Sequence, residues 1–275
     1  MKRIFLFWIA GVLLATSGVS AETLQAELYK KDGGAWYVFL VKNGGEELTI
    51  RLNKSKVNRT ILVDEVERLN IQHPEYDEAQ VQQKFDEADY AAVITVLEPV
   101  AASSADYMGI PNNLQNAFGL LMNAYYWNGD HAKANTAALK LGLTQDPVLK
   151  LSAMNIQALT AMHAGNLAEA ETVLSEISDP AAKLYLQACL QQANQQPEAA
   201  IQTAVELIAN HPNDMRWMPV TELLCANLYL DMGRTNSAIA TARQTEKFYA
   251  GTSIGKEAQT LRETLEKSEK IKSLK

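Results

Sequence analysis

The chain contains only two cysteines, Cys189 and Cys225, in 275 residues, which excludes a disulfide-stapled scaffold and any multi-cysteine metal cluster. Its four histidines (His73, His131, His163 and His211) are scattered, against a histidine-rich metal site. With 14 Gly and 8 Pro it is too poor in both for a fibrous chain, and at 47% hydrophobic it is too apolar for a disordered one. No P-loop, Gly-x-Ser-x-Gly elbow, His-Glu-x-x-His helix or Cys-x-x-Cys pair occurs, so the expectation is no catalytic residue, no cofactor and no metal. What is present reads as a small β-rich front followed by helix after helix.

Lys2 and Arg3 precede an apolar and small-residue run from Ile4 to Ala15, then small residues at Val19 and Ala21 lead into Glu22. A positive start, a short apolar stretch and a small-residue site predict a secretory signal peptide over 1–21, cleaved before Glu22. The apolar run is well short of the roughly 20 residues that a membrane-spanning helix needs. The remainder, with no other long apolar run, is expected to be exported and soluble after cleavage, with no stable membrane insertion. The bacterial periplasm or the cell surface is the expected setting.

Charge is uneven along that remainder. Residues 22–72 carry eight basic and eight acidic side chains, whereas 73–255 carry nine basic against 20 acidic. A strongly acidic body repels phosphate backbones and anionic headgroups, which argues against nucleic acid as a partner. The polar stretch 256–275, with Leu261, Leu265 and Ile271 recurring among alternating Glu and Lys, predicts a solvated capping helix.

Between residues 22 and 72 the pattern is that of strands. Leu24, Ala26 and Leu28 alternate with polar residues before the turn cluster Lys31-Asp32-Gly33-Gly34. The run Ala35 to Val41 is rich in aromatic and β-branched residues, and Asn43-Gly44-Gly45 supplies a second turn. Asn-Gly and Asp-Gly between such runs mark hairpins, because Gly tolerates the positive φ these turns require. Leu48, Ile50 and Leu52 alternate again, and segments 59–63 and 66–71 add one or two further strands. The strand spacing resembles a small barrel of the SH3-like or Sm-like kind. Within it, alternating members of the run holding Trp36, Tyr37 and Phe39 are expected to fill the core while the others sit on its surface, a ligand pocket being the alternative for these aromatics.

Over 73–255 five segments share a turn followed by a small residue five positions on. They are Ala88-Asp89-Tyr90 with Val93, Gly129-Asp130-His131 with Ala134, Gly165-Asn166-Leu167 with Ala170, Gln195-Gln196-Pro197 with Ala200, and Gly233-Arg234-Thr235 with Ala238. The turns are 41, 36, 30 and 38 residues apart. Tyr125 and Tyr229 precede Ala134 and Ala238 by nine residues, Ala158, Ala188 and Ala226 hold a small-residue position in the first helix, and Pro212 closes one unit. This resembles the tetratricopeptide repeat (TPR), a helix–turn–helix unit of about 34 residues. The resemblance implies a mainly α fold: about five TPR-like hairpins over 73–255, stacked as a solenoid. Met122 departs from the family's small-residue position, and Pro147 and Pro180 fall off its register.

In that family ligands lie in the concave groove lined by the first helices, which implies a protein or peptide partner. The resemblance places Asn123 and Asn227 where groove asparagines meet a peptide backbone, with Tyr126, Trp127 and Tyr185 nearby. The alternative for Tyr126 and Trp127 is packing between repeats. Cys189 and Cys225 are expected as free, buried thiols, with a disulfide between them the alternative that an oxidising compartment permits, and His131 and His163, beside helix turns, as solvated. The acidic cluster Asp86, Glu87 and Asp89 is expected to serve a helix start through the backbone dipole. The functional expectation is an exported, non-catalytic scaffold that binds its partner through the repeats. A structural component docked into an envelope complex through the β domain is the alternative.

Overall fold

The computed structural model describes residues 24–53, 55–73 and 76–273. The segment expected to be a signal peptide lies outside them. Five strands, β1 (Leu24–Lys30), β2 (Ala35–Asn43), β3 (Glu47–Leu52), β4 (Asn58–Leu62) and β5 (Val66–Ile71), form one antiparallel sheet in the order β4-β3-β2-β1-β5. A single 3-10 turn, Val63–Glu65, joins β4 to β5. At the first hairpin Gly33 takes φ +90°, and the Asp32 carboxylate accepts from the Gly34 N–H at 3.1 Å. Side chains of a strand alternate between faces, and here Ala26, Leu28, Val38, Leu40, Leu48 and Ile50 all point inward.

That parity divides the aromatic run between the two faces of β2. Val38 and Leu40 fill the core with Trp36 half-buried beside them, whereas Tyr37 is 63% exposed and Phe39 shares its outer face. On that face the guanidinium of Arg51 lies 5.0 Å from the Phe39 ring centroid, and that of Arg68 lies 4.2 Å from the Tyr29 ring centroid.

Eleven α-helices follow among the described residues. They are α1 (Glu78–Asp86), α2 (Tyr90–Ser104), α3 (Gln115–Trp127), α4 (His131–Leu141), α5 (Pro147–His163), α6 (Leu167–Glu176), α7 (Pro180–Ala193), α8 (Pro197–Asn210), α9 (Met218–Asp231), α10 (Thr235–Phe248) and α11 (Ser253–Ser273). The first ten pair as five helix–turn–helix units with one shared turn geometry. A residue with positive φ ends each first helix: Ala88, Gly129, Gly165, Gln195 and Gly233. The next residue's N–H then reaches back to the carbonyl five positions earlier at 2.8–2.9 Å, satisfying a helix end that would otherwise be orphaned. The small residue in each second helix, Val93, Ala134, Ala170, Ala200 and Ala238, is 0% exposed. A larger side chain there would hold the two helices apart. Pro147, Pro180, Pro197 and Pro219 all sit in the first turn of a helix, where a missing N–H costs nothing.

The acidic cluster is also read differently. Asp89 caps α2, accepting from the Ala92 N–H at 3.3 Å, as expected of a helix start. Asp86 and Glu87 instead close the C-terminal end of α1, where the dipole disfavours them, and they take donors from Gln82 at 3.0 Å and Gln83 at 2.8 Å.

The uneven turn spacing has two local causes. Between α2 and α3 a 3-10 turn, Ala105–Tyr107, and the loop 108–114 are inserted, and this loop docks on β5. The Asn113 amide accepts from the Ile71 N–H at 2.8 Å and donates to the Ile71 carbonyl at 3.1 Å, while the Leu69 N–H donates to the Pro111 carbonyl at 2.8 Å. The short interval sums a 10-residue α6, a three-residue link and a 14-residue α7, against 11, five and 17 residues in the interval before it.

Helix contacts carry the architecture further. Besides its hairpin partner, each odd-numbered helix touches the next: α1 with α3, α3 with α5, α5 with α7, α7 with α9, and α9 with α11. α11 in turn touches α1, so the six odd helices close a ring. Tyr90, at the start of α2, is buried against Ser253 and Glu257 of α11 at this closure. No helix of the described residues is long and apolar enough to cross a membrane.

Candidate functional site

Helices that are apolar over more than one face need neighbours on more than one side. The first helices of the hairpins have that breadth, and the side chains not used between neighbours face the interior of the ring. There they line two adjoining hollows. The larger, a cavity of ≈ 510 Å³, is walled by residues from α1, α3, α5, α7, α9 and α11 and from the loop before α9. The second, of ≈ 490 Å³, lies among α3, α5, α7 and α9. Tyr126, Trp127, Leu159, Tyr185 and Val220 border both.

The structure brings the expected groove residues to this interior. Asn123, Tyr126, Trp127 and Tyr185 line the larger cavity, and Asn227 lines the second beside Tyr126, Trp127 and Tyr185. The two asparagine amides are turned back along their own helices, Asn123 donating to the Gly119 carbonyl at 2.8 Å and Asn227 to that of Leu223 at 3.2 Å. The Tyr126 and Trp127 rings meet edge to face at 5.4 Å, both half-buried, and Tyr185 packs on Trp217 at 5.5 Å.

Burial sets the charge state here. It holds the Tyr126 and Tyr185 hydroxyls well above the ordinary tyrosine range and pushes the Cys189 and Cys225 thiols up to about 12. Both cysteines are free and buried, and neither is a thiolate at neutral pH. Arg216, at the edge of the larger cavity, is held by Asp214 at 3.0 Å and Asp179 at 3.3 Å. The arrangement offers largely apolar walls with a few hydrogen-bonding groups, and Glu78 and Arg216 are the charged residues lining the larger cavity. Among the described residues no group of three or more His, Cys, Asp or Glu is placed to hold a metal ion.

Three features of the interior escaped the sequence reading. His163 is exposed and His131 half-buried, beside helix turns as expected, but the two are not independent. Their rings stack at 4.0 Å and 13°, and the Tyr126 hydroxyl lies 3.4 Å from His163 Nε2. Equivalent ends of neighbouring hairpins bring them together, although 32 residues separate them in the chain. Trp217 lies in the loop before α9, outside any repeat register, and is only 7% exposed with its indole N–H unpaired among the described residues. Asn155 stands one helical turn before Leu159, the register counterpart of Asn123 and Asn227. Its buried side-chain oxygen is likewise unpaired among the described residues. A polar residue inside the broad apolar run of α5 was the one available signal for it.

No protein-family model matches the chain, and no curated protein matches it.

Proposed function

We propose that the chain is an exported, non-catalytic interaction protein that binds a protein or peptide partner through a TPR-like helical solenoid. The observation that carries this is the convergence of Tyr126, Trp127, Tyr185 and Asn227, from three separate first helices, on one hollow. Aromatic side chains with few rotatable bonds bury much area at little entropic cost, which suits them as anchors for a partner. The five identical turns and the five wholly buried small residues support the repeat reading. The strand order, with a 3-10 turn before the last strand, supports an SH3-like or Sm-like front. Export rests on the pattern of residues 1–21 alone.

Cross-linking the protein in its native envelope fraction, followed by capture and mass spectrometry, tests the proposal. Trp127→Ala and Asn227→Ala are expected to weaken recovery of the partner while the helical circular dichroism is kept. Unchanged recovery with both variants would remove the hollow from recognition. A broad panel of esters, glycosides and peptides tests the non-catalytic reading, which fails if one is hydrolysed and the activity goes with substitution of Asp86 and Asp89.

A second reading, docking through the front domain into an envelope complex, is favoured by the outer face of the sheet. Tyr37 is 63% exposed there, next to the aromatic–arginine contacts of Phe39 with Arg51 and Tyr29 with Arg68. Loss of capture with Tyr37→Ala, and not with the helical variants, would select it.

A further inference from the structure

The two edges of the sheet are finished differently. β5 is covered: the loop 108–114 lies along it, with the Leu69 N–H donating to the Pro111 carbonyl at 2.8 Å and Asn113 pairing with Ile71. β4 ends the strand order on the other side, and neither a proline nor a shift of register interrupts it. One contact fixes which way its backbone groups point. The Val63 N–H donates to the Glu46 carbonyl at 2.9 Å, and the next pair along is Glu47 with Leu62. Opposed residues of an antiparallel pair exchange hydrogen bonds only at alternate positions. Val63, Ile61 and Arg59 therefore turn their backbone groups to β3, whereas Leu62, Thr60 and Asn58 turn theirs away from the sheet. These last three residues are exposed. An open edge of this kind is a template for another strand.

The chemistry of the edge selects that strand. With β5 covered, β4 of one copy has no β5 edge to take on a second, so head-to-tail addition is closed off. β4 itself remains. Pairing it antiparallel with its own copy about Thr60 sets Thr60 against Thr60 and Asn58 against Leu62, and uses every outward N–H and C=O group. Sliding the register by one pair leaves some of those groups unused and, in one direction, sets Arg59 against Arg59. In the centred register Arg59 instead meets Ile61, and Val57, 67% exposed, comes beside Val63. Lys56 of each copy comes to Asp64 of the other, both exposed, and the two-fold axis makes that opposite-charge contact twice. The wider charge pattern agrees. Residues 22–72 carry eight basic and eight acidic side chains, against nine and 20 over 73–255, so the front is where two copies approach without mutual repulsion.

We propose that β4 is a self-pairing edge, through which two copies of the chain join antiparallel about Thr60 into one continuous sheet that carries two helical rings. A single pair of five-residue strands buries well under the roughly 1,200–2,000 Å² of a stable interface, so the dimer is reversible and depends on concentration. The inference does not rest on the partner reading. It adds to it the presentation of two hollows by one assembly.

Sedimentation velocity of residues 22–275 at increasing concentration tests this. The expected mass rises from one chain towards two and no further. Thr60→Pro removes an N–H that faces away from β3, so it leaves the sheet intact and weakens association roughly tenfold. Lys56→Glu and Asp64→Lys each bring like charges together in the dimer and weaken it about three- to tenfold at low salt. Mixing these two variants restores association, because each supplies the charge that the other lacks. A contact elsewhere on the molecule gives no such rescue. Both charge variants alter exposed side chains only, so the test stands even if Thr60→Pro fails to fold. The mass of one chain at every concentration overturns the proposal and leaves β4 to a strand of a different protein. A dimer that none of the variants weakens, weakening without rescue on mixing, or growth beyond two chains overturns it as well.

Discussion

The His163 ring carries a pH dependence that its position in the chain would not predict. It is held below the ordinary histidine value by partial burial and, secondarily, by the stacked His131 ring. A depressed histidine favours the folded state only while neutral. Its contribution to stability is complete above the unfolded value of about 6.5 and is lost as pH falls through the lower folded one. The thermal midpoint of the protein should therefore drop on going from about pH 8 to about pH 5, and His163→Gln should flatten that part of the decline. Scanning calorimetry at a series of pH values checks this. Parallel profiles for protein and variant would mean that the stack does not resist protonation. His163 borders the hollow assigned to the partner, and Tyr126 contacts both rings, so acidification is expected to disturb Tyr126.

At the scale of the element, the five hairpin turns are chemically unequal while geometrically alike. Three place Gly at the left-handed position, whereas Ala88 and Gln195 hold φ +59° with a Cβ in the way. Left-handed backbone costs an L-residue about 1–2 kcal/mol, part of which glycine gives back through its larger unfolded-state entropy. Gln195→Gly should raise stability by about 0.5–1 kcal/mol and Gly165→Ala should lower it by about 1 kcal/mol, both read from urea unfolding. These turns, and the small residues five positions on, were legible in the sequence because both requirements are local: a backbone angle and a side chain small enough for helix contact. The parity of β2 was half legible, since alternation was plain but which members faced inward depends on pairing with β1 and β3. The 41-residue interval carried no readable meaning until the loop 108–114 was found against β5. The histidine stack and the buried, unpartnered polar atoms of Trp217 and Asn155 were not legible either, because they depend on how neighbouring hairpins are packed rather than on any one of them.

Across the whole molecule, the sheet and the helices are built on one continuous core. Leu69 and Ile71 belong to the same buried cluster as Leu97, Met108, Ile110 and Leu121. Asn113 fastens the junction by offering the free edge of β5 an acceptor and a donor, as a further strand would. Removing that amide strands both backbone groups of a residue that is 2% exposed, so Asn113→Ala should cost about 1–3 kcal/mol, measured by denaturant unfolding. Loss of the sheet signal before the helical one would show the junction yielding first. The opposite end of the chain closes the ring, and one residue there permits it. Gly255, in the first turn of α11, lies so close to the Tyr249 carbonyl that an added Cβ would overlap it. Backbone cannot yield as a flexible side chain does, so Gly255→Ala must displace the start of α11, where Ser253 and Ile254 line the cavity and Ser253 also meets Tyr90. Overpacking of this kind costs about 1–3 kcal/mol. Its effect should not be uniform. Amide hydrogen exchange is expected to quicken in α11 and α1 together, the two elements that share the closure, while α4 and α5 keep their protection. Faster exchange confined to α11 would mean that α1 is held by α2 and α3 alone, and that contact between the two ends adds nothing to the stability of the ring.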